Sequence, residues 1–168
     1  MSRSGLFGYM TLEGESQGKI EGGCTRTGDD FKNTIQIWEM EHKIGVDYDR
    51  FSHSAKGETE HEAIVLIKEW DKASPKLHRA MVTGEHLKNV QIKWFRSDSK
   101  GNYVHFYTHA MEDAHIVELT AKLKDHPEKD FPAHVEEVKI AYRKMTWTWK
   151  DGNIEAVYDY ADPSHQKK

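Results

Sequence analysis

Polar and apolar side chains alternate along residues 7–13 and again along 33–43, the period of a half-buried strand. In the second run Ile35 and Ile37 fall on one face and Trp38 and Met40 on the other, so both faces are expected to be covered. Glu21-Gly22-Gly23 and Gly28-Asp29-Asp30 lie between the two runs and predict a turn-rich connection. Residues 63–70 form a short, apolar, β-branched run that suits a strand buried on both faces. Residues 89–96 and 103–110, separated by a polar stretch at 97–102, read as a hairpin on which Val90, Ile92 and Trp94 share a face. Further strands are predicted at 115–124, 135–150 and 154–158, with a Pro-bracketed loop at 126–132, a turn at 151–153 and a polar tail from Asp162.

One helix is predicted. Ser74 stands where its hydroxyl would cap the first turn, Pro75 follows at the first helical position, and Gly84 supplies the stop. Leu77, Ala80 and Met81 recur at the spacing of a buried helical face. Loss of the cap in Ser74→Ala is expected to cost about 1 kcal/mol. Residues 45–61 break the strand pattern: Asp47, Asp49, Arg50, Ser52, His53, Lys56, Glu58 and Glu60 crowd a stretch with little apolar periodicity. A long polar loop is predicted, and loops beyond about 12–15 residues are uncommon in compact domains unless functional or mobile. It is read as an interaction arm. Many antiparallel strands beside one helix point to a mainly β fold, a barrel or a compact sandwich, within a single domain.

Composition narrows the function. The chain of 168 residues holds five Trp, seven Tyr and six Phe, enough large apolar side chains for one core. With 24 basic against 28 acidic residues the net charge is -4, so no broad basic surface is offered to a nucleic-acid backbone. No apolar run approaches the roughly 18 residues of a spanning helix, and the N-terminal residues show no signal-peptide core. Synthesis in the cytoplasm is expected, with any export by a specialised route and without membrane insertion. Cys24 is the single cysteine, which excludes an intramolecular disulfide.

Catalytic patterns are absent from the sequence. There is no Gly-x-Ser-x-Gly elbow, no phosphate-cradling loop, no dinucleotide fingerprint and no His-Glu-x-x-His pair. His105 and His109 on one strand would point the same way but stand roughly 13 Å apart. His53 and His61 lie in the polar loop. No metal site and no cofactor are expected. Glu136 and Glu137 would face opposite sides of a strand and read as solvated charges.

Four blocks carry a resemblance. They are Tyr9-Met10-Thr11-Leu12-Glu13-Gly14-Glu15-Ser16-Gln17-Gly18-Lys19-Ile20, Lys68-Glu69-Trp70-Asp71-Lys72-Ala73-Ser74-Pro75, the pair Gly84-Glu85-His86-Leu87 and Val90-Gln91-Ile92-Lys93-Trp94-Phe95-Arg96, and residues 136–147. In this order they resemble the haemolysin-coregulated protein (Hcp) family of bacterial type VI secretion. The resemblance implies a small antiparallel β-barrel with one flanking helix and an extended loop. It also implies a hexameric ring that stacks into an exported tube, with sheath and spike proteins as partners and small effectors in the lumen. The extended loop corresponds to Val46, Asp47, Tyr48, Asp49, Arg50, Phe51, Ser52, His53, Lys56, Glu58 and Glu60, expected to reach a neighbouring subunit or ring. An effector or adaptor on the same fold is the alternative. The chain departs from the family pattern at Thr59 to Ala63 and after Trp149, and, ending at Lys168, it is expected to lack an appended toxin domain.

Overall fold

The fold is known from a computed structural model that describes residues 7–125 and 128–165. It is mainly β, with eleven strands and one α-helix among the described residues. Strands β1 (Gly8–Gly14), β2 (Gly18–Lys19), β3 (Ile35–Ile37), β4 (Glu39–Glu41), β7 (Ile64–Glu69), β8 (Leu87–Ser97), β9 (Tyr103–Leu123), β10 (His134–Trp149) and β11 (Ile154–Asp159) make one antiparallel sheet. Its order is β2-β1-β8-β9-β10-β7-β4, with β3 also on β1 and β11 also on β10. The ladder is not continuous around a closed barrel. The run at 33–43 is interrupted at Trp38, so β3 pairs with β1 and β4 pairs with β7, while the Trp38 N–H donates to the Ile67 carbonyl.

One face of the sheet holds the core. Met10, Leu12, Ile35, Ile37, Ile64, Leu66, Leu87, Val90, Ile92, Met111, Val138, Ile140 and Met145 are buried there, mostly at alternate positions, with the period broken between Leu87 and Val90 at the left-handed Asn89 and between Ile140 and Met145. Phe95 faces away from Ile92 and Trp94 by simple alternation and stacks on Tyr103, meeting Tyr9 and Phe31 edge-on or tilted, while opposite Trp94 and Phe95 a β-bulge in β9 inserts Phe106 as an extra residue. Arg26 lies over the Phe31 and Tyr103 rings at 4.6 and 4.0 Å. The same bulge separates His105 from His109. His105 stacks on Phe95 and His109 accepts from the Trp94 indole, so the two rings take opposite faces, contrary to the simple strand reading.

Two further expectations fail for local reasons. The strands expected at 103–110 and 115–124 are one strand, β9, because Asp113 takes a left-handed φ of 50° and lets the ladder to β10 continue past the polar pair Glu112-Asp113. The polar tail is folded as far as His165: residues 163–165 form a 3₁₀ turn, and the Asp159 N–H donates to His165 Nδ1 at 2.8 Å. His126 and Pro127 of the loop, and residues 166–168 of the tail, lie outside the described residues.

Helix α1 (Ser74–Thr83) packs Leu77 and Ala80 into the core, and Gly84 ends it in the left-handed conformation at φ 65°. Its start differs from expectation. Ala73 is the N-cap and Ser74 already helical, because the Asp71 carboxylate accepts the Ala73 N–H at 2.9 Å in the place a capping hydroxyl would take. The Ser74 hydroxyl is spent elsewhere: it accepts from the Asp71 N–H and from Lys68 Nζ at 3.1 Å, and donates to Glu136 at 2.7 Å. Lys68 and Glu136 are 0% and 1% exposed and form an ion pair, so Glu136 is a buried partner and not a solvated charge. Lys68 Nζ also meets the Glu69 carbonyl and Asp71. Ser74→Ala should therefore cost about 1–3 kcal/mol, the range for leaving buried polar groups short of a partner. A urea titration checks this; a loss no greater than that of a neutral surface variant would refute the network's role.

Candidate assembly surfaces

The stretch expected to be a polar loop is a hairpin of its own. Strands β5 (Ile44–Asp49) and β6 (Ser54–His61) pair only with each other and form a second, two-stranded sheet. The signal was present: Ile44-Gly45-Val46-Asp47-Tyr48-Asp49 alternates strictly between apolar and small or acidic residues. The run of charges beyond it obscured that period.

All eleven loop residues named from the sequence fall on this arm. Val46, Asp47, Tyr48 and Asp49 lie on β5, Arg50, Phe51, Ser52 and His53 form the tip, and Lys56, Glu58 and Glu60 lie on β6. Asp49 organises the tip by accepting the Phe51 N–H at 2.9 Å and pairing with Lys56 at 2.7 Å. These contacts, Lys56 first, hold its carboxyl down to about 2. His53 takes φ 52° to close the turn and meets the Tyr48 hydroxyl at 3.0 Å. Phe51 is 99% exposed, and Tyr48, Ile44 and Val46 are also exposed.

The root of the arm gathers residues that the sequence did not bring together: His61, read there only as part of a polar loop, with His42, Tyr142 and Tyr158. The Tyr142 hydroxyl of β10 lies 2.7 Å from His42 Nε2 and 2.6 Å from His61 Nδ1, and the His61 ring stacks on Tyr158 of β11 at 3.7 Å. A cleft of about 610 Å³ opens beside them, walled by Asp47, Glu58, Glu60, Glu62, Tyr158 and Tyr160. No local motif marks this cluster, because its members come from four separate segments. A second, apolar groove of about 290 Å³ is lined by Trp38, Met40, Trp94, Phe106, Tyr107 and His109.

These surfaces offer contact area and little chemistry. Among the described residues no group of His, Cys, Asp or Glu is placed to hold a metal ion. No described helix is long and apolar enough to cross a membrane.

A family model described as "Type VI secretion system effector, Hcp" matches residues 9–149. The chain belongs to the Hcp family. It is 33% identical over 165 residues to the "Major exported protein" of Pseudomonas aeruginosa, covering 92% of this chain and 95% of the relative. Among solved structures it is similar to the Hcp1 protein of Escherichia coli EAEC 042, at 28% identity and a TM-score of 0.79, covering 91% of this chain and 97% of that one. It is also similar to secreted Hcp3 of Pseudomonas aeruginosa, at 28% identity and a TM-score of 0.74, with 94% and 99% covered. A further Hcp structure superimposes with a TM-score of 0.84 at 24% identity, over 94% of this chain and 99% of that one, a likeness of fold. Hcp proteins are secreted by the type VI system, and this chain is one of them.

Within the Hcp fold the family blocks turn out to be neighbours in space. The turn at Ser16 and Gln17 is held by Glu85, whose carboxylate accepts both backbone N–H groups at 2.6 and 2.8 Å and the Gln17 amide at 2.8 Å. Lys68 and Ser74 of the second block meet Glu136 of the last, and Asp71 pairs with Lys68. The residues that carry the resemblance thus hold the scaffold, and the arm is what the scaffold presents.

Proposed function

We propose that this Hcp chain is a structural subunit of the type VI secretion tube, closing into a hexameric ring whose copies stack and are exported. The arm carries this reading. A two-stranded hairpin is marginal alone in water, yet this one projects with Phe51, Tyr48, Val46 and Ile44 exposed and is anchored to the body mainly at its root. Exposed apolar residues gathered on one element mark a surface meant to be covered. A heterologous contact that closes by rotation gives a ring, and a head-to-tail contact along its axis gives a filament.

The same reading takes residues 1–168 as one domain and its sheet as a small barrel in effect. Residues 35–41 support this, since β3 lies on β1 and β4 on β7, which bridges the two ends of the strand order. Sheath and spike proteins as partners, small effectors in the lumen, and the absence of catalysis belong to the same proposal. Negative-stain microscopy of concentrated protein tests it: annular particles seen face-on, joining into short rods, are expected. Featureless monomers at every concentration would refute it.

A further inference from the structure

The two histidines at the arm's root stand at its two ends. His42 stands two positions before the start of β5, and His61 is the last residue of β6. Both legs of the arm are therefore fastened to β10 through one hydroxyl, that of Tyr142.

A phenol has one proton to give. Tyr142 donates to one imidazole nitrogen and accepts an N–H from the other, so the arrangement is fully paired when both rings are neutral. One added proton is tolerated by reversing the direction of the chain. A second makes both rings donors, leaves the Tyr142 proton without an acceptor and sets two cations against one oxygen. His109 adds a third ring that must stay neutral on one side, since its Nδ1 accepts the Trp94 indole N–H at 3.0 Å and its ring lies 6.4 Å from that of His42.

The carboxylates of Asp47, Glu58, Glu60 and Glu62 wall the adjoining cleft but none is bonded to the rings, so they screen an added charge without pairing it. Among the described residues no carboxylate hydrogen-bonds His42, His61 or His109. On the legs, Lys43 and Glu62 pair with each other at 3.2 Å. On β10 and β11, Arg143 lies between Asp113 and Asp159, each 3.7 Å away. Tyr158 is flanked by Tyr160, Glu58 and Asp159, and His165 accepts from the Asp159 backbone. Burial, and for His42 the neighbouring His61, hold His42 and His61 below the ordinary imidazole range, and burial with His42 pushes His109 down to about 4.

We propose that the His42–Tyr142–His61 triad is an acid-released clamp that fixes the arm to the body near neutral pH and frees it on acidification. The sign follows from linkage. Rings whose affinity for protons is lower in the clamped state bind more of them when released, so the clamp holds above the free imidazole value near 6.5 and weakens as pH falls below it. The proposal concerns the arm's attachment and stands whether or not rings form.

Hydrogen exchange of the intact protein, corrected for intrinsic rates, tests it between pH 7.5 and 5.0. Protection of the β5 and β6 amides should fall at least tenfold on acidification, while β8 and β10 keep theirs. Tyr142→Phe should start unprotected in the arm at both pH values. The double variant His42→Gln, His61→Gln should show no pH dependence there. Light scattering at each pH separates arm release within an intact particle from dissociation. Arm protection constant over the range in the wild type, or an equal fall in the double variant, would overturn the clamp.

Discussion

Glu136→Ala should destabilise the domain by about 3–5 kcal/mol, the range for removing one member of a buried ion pair. Lys68 would lose its fully buried partner and keep Ser74 and the partly exposed Asp71 as its remaining side-chain partners. Domains are stable by roughly 5–15 kcal/mol, so the loss is a large share of the whole. Glu137→Ala is the control. Glu137 points the other way along β10, where its ion pair with Lys122 at 3.2 Å is partly solvated, and surface pairs contribute about 0–1 kcal/mol. Urea titrations of the two variants should separate them clearly. The double variant Lys68→Met, Glu136→Leu should regain much of the loss, because it removes both charges together. Equal midpoints for Glu136→Ala and Glu137→Ala would show that the pair holds nothing.

The second large effect is on assembly and leaves stability alone. Replacing residues 47–57 by a short Gly-Ser link removes Phe51, Tyr48 and the Asp49–Lys56 turn, but no residue of the core. The melting temperature should stay close to that of the wild type, while rings and rods disappear. Phe51→Ala alone should weaken association at least tenfold if the ring is a buried anchor in the assembly, since central aromatic residues commonly contribute more than about 1.4 kcal/mol. Particles unchanged in both variants would remove the arm from the mechanism.

Much of the scaffold was legible because its strands obey a simple period. Ile35, Ile37, Val90 and Ile92 alternate with outward residues, and all four are buried. Where reasoning from sequence failed, a local exception broke the period. The extra residue at the Trp94–Phe95 bulge reversed the relation of His105 to His109, and the left-handed Asp113 let one strand run through what read as a gap. Ser74 looked like a cap because its position and Pro75 fit one. Asp71 took the capping place two residues before Ala73, and the Glu136 carboxylate that receives the Ser74 hydroxyl lies 62 positions away, which no local pattern records.

The arm shows the opposite case. Its eleven residues were located in advance, but its form was not, since the charges at 47–60 masked the alternation of Ile44, Val46 and Tyr48. Its root cluster was invisible for a different reason. His42, His61, Tyr142 and Tyr158 meet only after β10 and β11 fold beside the hairpin, and each alone is an ordinary residue on an ordinary strand.

The central claim is that this chain is built to assemble. Light scattering coupled to size exclusion measures it most directly, as particle mass across a hundredfold range of concentration at neutral pH. A mass six times that of the chain, holding on dilution and rising by whole rings at high concentration, is predicted. A mass of one chain throughout the range would contradict it.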